Sequence, residues 1–534
     1  MNTEGAMKSF MKGAVLLTLA GLIVKILSAV YRVPFQNMVG DQGFYIYQQV
    51  YPFIAVFGVW TSYGFAVAVS KMLADSQKGE HRAIFRIAFW TIAILSLLIF
   101  GLLFAGADLL AAWMGDARLS ALLKVGSFAV LLMAPLAVMK GSFQAGSFMQ
   151  PVAYAQVMEQ AVRVTIILVG TWIVVTQGFS LYTAGQTAML GAVAGELAAV
   201  GLLIYYVNKH VSNVPEPVAL PVWPTVKKML AISLSVSMSS LILLIFQMAD
   251  SFTIFRLLED SGIGTMEAME KKGIYDRGQP LAQFGLLVAT SLALSIVPLV
   301  AQMQRKRNGR SAELYAKLAY RISLLFAVAA AAGLTFVMPY VNEMLFQTRD
   351  ESAALVVFSW QIVWMSLLLI LTALLHGIGK VKVPALLMAG GLFVKIMGNW
   401  LLIPLYGVMG AALAGNLGLA FIVGGLLLYF KKIWPLRFAP AQFYAWLALA
   451  SASMGAVVVI WAVAADTVVF AALPGRFGSA LTALTAVPLG AAVFLALIAK
   501  SRIITERQWY VMPFGRKMAK LQLILNSKKK GDGR

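Results

Sequence analysis

Residues 87–107 read IAFWTIAILSLLIFGLLFAGA, twenty-one positions without one charged side chain. A hydrocarbon core about 30 Å thick needs about 20 apolar residues of helix, so this stretch alone is long enough to cross a bilayer. Arg82 and Arg86 precede it and Asp108 follows, and the same alternation of apolar run and polar break recurs from Met11 to Lys500. Fourteen such runs are predicted, at about 11–31, 44–73, 84–108, 120–142, 152–177, 184–208, 226–258, 280–303, 313–341, 352–378, 384–405, 407–431, 441–465 and 478–500. Inside lipid each backbone N–H and C=O must be paired within its own segment, so runs of this length are helices. The whole chain agrees: 60% of its 534 residues are hydrophobic and 12% charged, against about 25% charged in a soluble domain. The expected fold class is an all-α integral membrane protein of about fourteen transmembrane helices.

The net charge of +21 would also fit a nucleic-acid-binding protein, so the placement of the charges decides. Of 43 Lys and Arg, 31 fall in the terminal segments and alternate loops of one side, nine in those of the other, and Lys25, Arg163 and Lys395 within spans. Basic loops face the cytoplasm, which puts both termini there and excludes nucleic acid as the partner. The basic tail from Arg502 to Arg534 mixes bases with Trp509, Leu521 and Leu523, a composition suited to the anionic inner leaflet. The chain has no cysteine and three scattered histidines, which excludes disulfides, thiolate metal sites and a His-based zinc site. No metal or other cofactor is expected.

Spans one to six and seven to twelve have the same in/out sense, and a linker with Pro215, Pro217, Pro221 and Pro224 separates them. The predicted organisation is an N-lobe at 1–208, a cytoplasmic linker at 209–225, a C-lobe at 226–432, two further helices at 433–500 and a basic cytoplasmic tail at 501–534. Two parallel six-helix lobes around a central cavity are a common transporter plan.

Three runs carry a resemblance: Tyr31-Arg32-Val33-Pro34-Phe35 leading to Gly40-Asp41-Gln42-Gly43-Phe44-Tyr45, Gln247-Met248-Ala249-Asp250-Ser251-Phe252-Thr253, and Gly273-Ile274-Tyr275-Asp276-Arg277-Gly278-Gln279-Pro280-Leu281. With them the chain resembles the polysaccharide-biosynthesis, stage V sporulation protein B-like branch of the multidrug/oligosaccharidyl-lipid/polysaccharide exporter superfamily, related to lipid II flippases. The resemblance implies a multi-pass protein of the bacterial plasma membrane that flips polyprenyl-diphosphate-linked saccharide, a peptidoglycan precursor or related envelope intermediate, by alternating access. It leaves the glycan, the cellular pathway and the oligomeric state open.

A charge inside a membrane helix costs at least about 2.5 kcal/mol and is usually kept for a pathway, a partner or a relay. Lys25, roughly 20 Å along helix one from Lys12, and Arg32, seven residues on, share a face suited to a diphosphate; the alternatives are a packing pair for Lys25 and snorkelling for Arg32. In span five, Glu159 sits four residues before Arg163, so an intrahelical bridge is available; a substrate phosphate displacing Glu159 is the competing reading. Lys395, with Asn399 a turn beyond, supplies a second-lobe cation. Glu196 is expected to partner Lys395 or Lys25, or to be a coupling site. Asp250 and Arg256 are expected near the outer end of span seven, as a rim pair or an interfacial ion pair. Along that span Ser233, Ser237, Ser240, Gln247 and Ser251 form a polar stripe, for a wet cavity or for close packing. The acid- and base-bearing segment 259–279 is expected to be a solvated outside loop.

Three functional classes follow. A lipid-linked saccharide flippase would use Lys25, Arg32, Arg163, Arg256 and Lys395 as a cationic cavity, with Glu159, Glu196 and Asp250 as charge partners or coupling groups. A drug/cation antiporter of the same superfamily would place a carboxylate in helix one, where span 11–31 has Lys25 and no acid. A membrane glycosyltransferase would gather carboxylates near one membrane face, whereas the acids here are dispersed. Without a phosphate-binding G-x-x-x-x-G-K-[ST] motif, energy is left to Na+, H+, the membrane potential or consumption of the product.

Overall fold

The computed structural model describes residues 3–210, 219–287, 289–291, 309–380, 382–433, 437–469, 473, 475–509 and 515–527, and every regular element among them is helical. Twelve described stretches are long and apolar enough to cross a membrane. One of them, Leu19–Ala74, runs for 56 residues, enough for two spans. The division falls at Gly40, whose φ of 68° breaks the helix, a backbone conformation glycine adopts at no steric cost. The expected eighth span, at about 280–303, lies largely outside the described residues.

The first compact unit comprises Met1–Pro280 and Asn399–Ala411. Its principal helices are α1 (Thr3–Val30), α2 (Arg32–Val59), α3 (His81–Ala105), α4 (Met133–Ala145), α5 (Gln150–Thr165), α6 (Leu181–His210), α7 (Val222–Asp260) and α8 (Thr265–Asp276). α2 continues through a wide π turn at Trp60–Phe65, and α5 through another at Ile166–Gly170. Such turns re-aim side chains and recur at functional sites. In the first, Trp60 Nε1 donates to Ser233 Oγ at 2.9 Å. Ser233, Ser237 and Ser251 of the polar stripe are buried, and the last two donate back to the carbonyls of Ser233 and Gln247 within α7. For these three residues the close-packing reading is the one observed.

The second unit comprises Leu281–Gly398 and Ala412–Arg534. It contains α9 (Gly309–Phe346), α10 (Gln361–Gly377), most of α11 (Lys382–Tyr406), α12 (Val408–Ile433), α13 (Ala441–Ala464), α14 (Arg476–Ser501) and the amphipathic α15 (Gly515–Ser527). Gly455 of α13 admits the Phe336 ring of α9, where a Cβ would lie 2.3 Å from it. At one end of the same group, Arg349 binds Glu343 and donates to Ser479 Oγ at 2.9 Å.

Candidate functional site

A cavity of about 160 Å³ opens in the first unit between α1, α2, α5 and α6. Ser28 of α1 faces it, as do Tyr47, Tyr51, Ser62 and Tyr63 from α2 and its π turn, Gln156, Glu159, Gln160 and Arg163 from α5, and Glu196 from α6. Glu159 is shared by two cations: Arg163 Nη2 approaches Oε1 at 3.3 Å and Lys140 Nζ approaches Oε2 at 3.3 Å. Arg163 also stands 3.9 Å from Glu196. Lys140 is 1% exposed and donates to Ser62 Oγ at 3.2 Å. Two donors have no protein partner among the described residues, Arg163 Nε and Gln160 Nε2, and Gln160 is 3% exposed. Buried polar atoms are normally paired, so two unpaired donors on residues of one wall set this cluster apart from a saturated packing pair.

Of the residues singled out from sequence, Arg163, Glu159 and Glu196 thus come together. Arg32 is buried behind this wall, its guanidinium 5.0 Å from the centroid of the Tyr51 ring, with Nε and Nη1 unpaired among the described residues. Lys25 is exposed, and its neighbours Val24 and Ser28 line the cavity while it does not. Lys395 is buried in α11, in the second unit. Glu196 has Arg163 as its ion-pair partner rather than Lys25, a correction to the expected pairing.

The expected Asp250–Arg256 pair does not form. Six residues along a helix turn the side chain by about 240°, which leaves the two about 120° apart on different faces. Arg256 is exposed and makes no ion pair among the described residues. Asp250 is buried and accepts from Tyr275 Oη at 3.0 Å and Asn399 Nδ2 at 3.1 Å.

The segment 259–279 is also unlike a solvated loop. α8 is docked on the start of the second span: Arg277, fully buried, binds Asp41 with two donors, Nε to Oδ1 at 2.9 Å and Nη2 to Oδ2, and Gln36 Nε2 reaches the same carboxylate at 2.9 Å. At Gly273 a Cβ would come within 2.1 Å of the Asp41 carbonyl oxygen, so only glycine permits this approach. Lys272 Nζ donates to both Asp276 oxygens at 2.6 and 2.7 Å. Burial pushes the Asp276 carboxyl up to about 6, against the opposing pull of Lys272. Lys140 was missed from sequence because it falls near the predicted end of the fourth run, where a basic residue reads as interfacial.

The architecture is shared with transporters of known structure. One solved structure of the lipid II flippase MurJ, in an inward closed conformation, matches with a TM-score of 0.70 at 15% identity over 91% of this chain and 98% of that one. An inward-facing multidrug resistance MATE family transporter matches at 0.64 over 79% and 98%, again at 15% identity. The fold is that of a multi-pass membrane transporter. In sequence, the chain belongs to the polysaccharide biosynthesis protein family, whose profile matches residues 10–304. The Bacillus subtilis membrane protein YabM is 37% identical over 95% of this chain and 96% of its own length. Stage V sporulation protein B of the same organism is 27% identical over 63% and 65%, and its lipid II flippase MurJ 23% identical over 76% and 80%. The protein is a transporter rather than an enzyme, as the lipid II flippase MurJ among these relatives is.

Proposed function

We propose that the protein flips a polyprenyl-diphosphate-linked saccharide across the bacterial plasma membrane, with the diphosphate held in the cavity of the first unit by Arg163 and Gln160 and with Lys140, behind Glu159, supporting the wall. The observation that carries this reading is the shared geometry of Glu159. Each of its cations sits at 3.3 Å, near the outer limit of a hydrogen bond, and Arg163 and Gln160, both on the cavity wall, each keep a buried N–H without a partner among the described residues. A diphosphate offers more acceptor oxygens than one carboxylate and displaces Glu159 from Arg163. The three tyrosines on the wall add hydroxyls for a sugar. Arg32, behind Tyr51, keeps the wall cationic, and Lys25 and Lys395 supply charge along the route outside this cavity.

In this reading the N-lobe and C-lobe alternate access, both termini and the basic tail are cytoplasmic, and the tail rests on anionic inner-leaflet lipid. Names of relatives support the substrate class: a lipid II flippase and a polysaccharide biosynthesis family stand among them.

The test is translocation of a fluorescent polyprenyl-diphosphate saccharide in proteoliposomes, comparing the native chain with Arg163→Ala, Lys140→Ala, Lys25→Ala and Lys395→Ala at matched insertion. The first two are expected to lose flipping most. Native flipping unchanged in both would make the cavity cations structural. Absence of flipping with several saccharides, together with export of a cationic drug, would favour the antiporter class.

A further inference from the structure

At the cavity of the first unit two cations, Arg163 on the wall and Lys140 buried behind Glu159, are matched in ion pairs by two carboxylates of the wall, Glu159 and Glu196. A saccharide-diphosphate-prenyl ester brings two further negative charges, because each phosphorus carries one ester and one anhydride linkage and keeps a single oxygen that is fully ionised near neutrality. Seating it on Arg163 leaves Glu196 without its one ion-pair partner in a site of low polarity, while Glu159 keeps Lys140. An uncompensated buried charge costs several kcal/mol, more than most single contacts return. A carboxylate has a cheaper outcome, which is to take up a proton.

The two carboxylates differ in how readily they do so. Glu159 touches two cations and accepts hydrogen bonds from both. Glu196 is 6% exposed, has Arg163 alone, at 3.9 Å, and receives no hydrogen bond from any described residue. The groups that share the cavity with it come from α5, α2 and α1, with Lys140 of α4 behind Glu159. From α5 they are Glu159, Gln160 and Arg163; from the α2 wall Tyr47, Tyr51 and Tyr63, with Gly58, where a Cβ would lie 3.8 Å from Glu196 Oε1. From α4 there is Lys140, and from α1 Ser28, Lys25 being exposed and off the wall. Once Arg163 turns to the phosphate, none of these replaces it.

We infer that binding of an anionic lipid-linked diphosphate in this cavity draws one proton from bulk water onto Glu196, so that ligand and proton bind with positive linkage. The inference rests on the proposed diphosphate site and deepens it by naming what restores charge balance. By linkage, affinity falls about tenfold per pH unit wherever one proton is taken up. The proton cannot come from the ligand, whose phosphates hold none.

The measurement is calorimetric titration of polyprenyl-diphosphate N-acetylglucosamine into the full chain in nanodiscs, in buffers of different ionisation enthalpy, with affinities from pH 6 to 8.5. About one proton taken up per ligand bound, with affinity weakening as pH rises, supports the inference. Glu196→Gln, which mimics the protonated residue, is expected to bind about tenfold more tightly than native at pH 8 and to lose the uptake. Glu159→Gln is expected to retain it. Native binding without proton uptake and with flat pH dependence overturns the inference while leaving the diphosphate site standing, and does so without any variant. Uptake that persists undiminished in Glu196→Gln overturns the assignment to Glu196. Absence of native binding at every pH removes the diphosphate site itself, and this inference with it.

Discussion

Two buried clusters of charge in the first unit, built from similar residue types, are arranged in contrasting ways. In the clamp between the second span and α8, Arg277 holds Asp41 through two hydrogen bonds, Nε to Oδ1 and Nη2 to Oδ2, with Gln36 closing the carboxylate and Gly273 pressed on the adjacent backbone. In the cavity, Glu159 divides itself between two cations, Arg163 divides itself between two carboxylates, and donors are left over. A saturated, bidentate pair has little reason to open, because no competitor offers better geometry than the one in place. A shared, stretched set can exchange partners at small cost. Charge in a membrane protein therefore divides into fastening and handling, and partner count with distance distinguishes them better than burial does.

The largest effect that would break this contrast is in the clamp. Removing one partner of a buried pair costs about 3–5 kcal/mol, so Arg277→Ala should lower the thermal midpoint in detergent sharply and reduce recovery of folded protein. Gly273→Val should do the same for steric reasons. A midpoint within a degree or two of native would show that the clamp fastens nothing.

Next comes the cavity, where Arg163→Ala and Lys140→Ala should reduce translocation at least about tenfold, equivalent to about 1.4 kcal/mol. Their midpoints should shift far less than that of Arg277→Ala. Equal stability losses at both clusters would collapse the distinction between them.

A smaller effect concerns Asp276. Burial holds its carboxyl at about 6 in the folded chain, against about 3.9 for an unfolded aspartate. The folded state thus holds the proton more tightly, and this group's contribution to stability is full below the unfolded value and is lost as pH rises through 6. Between pH 5 and 7 the loss is roughly 1 kcal/mol. Asp276→Asn should remove that part of the pH dependence, seen as a smaller fall in thermal midpoint over the same interval. The smallest expected change is at Tyr275→Phe, which deletes one hydrogen bond to Asp250 and should cost about 1 kcal/mol. Chemical denaturation would detect it, and translocation should be retained.

Much of the fold was legible because apolar run length is a local property: a span such as 87–107 declares itself through its own residues. The Glu159–Arg163 bridge was legible for the same reason, its partners lying one helical turn apart. Arg277 and Asp41 stood within runs noticed for their resemblance to a family, yet nothing in either run states that they meet across 236 residues. Lys140 was passed over because its two contacts, Ser62 and Glu159, come from other helices.

The sequence by itself determined that this protein lives in the membrane, how many times it is built to cross, which charges it keeps inside the spans and which family it resembles, because hydropathy and charge are set residue by residue. Only the tertiary structure decided that Glu159 serves two cations, that Asp250 turns to Tyr275 and Asn399 instead of Arg256, and that the outside segment is a docked helix. Those outcomes depend on which helix faces meet, and a face acquires its neighbour only when distant segments pack.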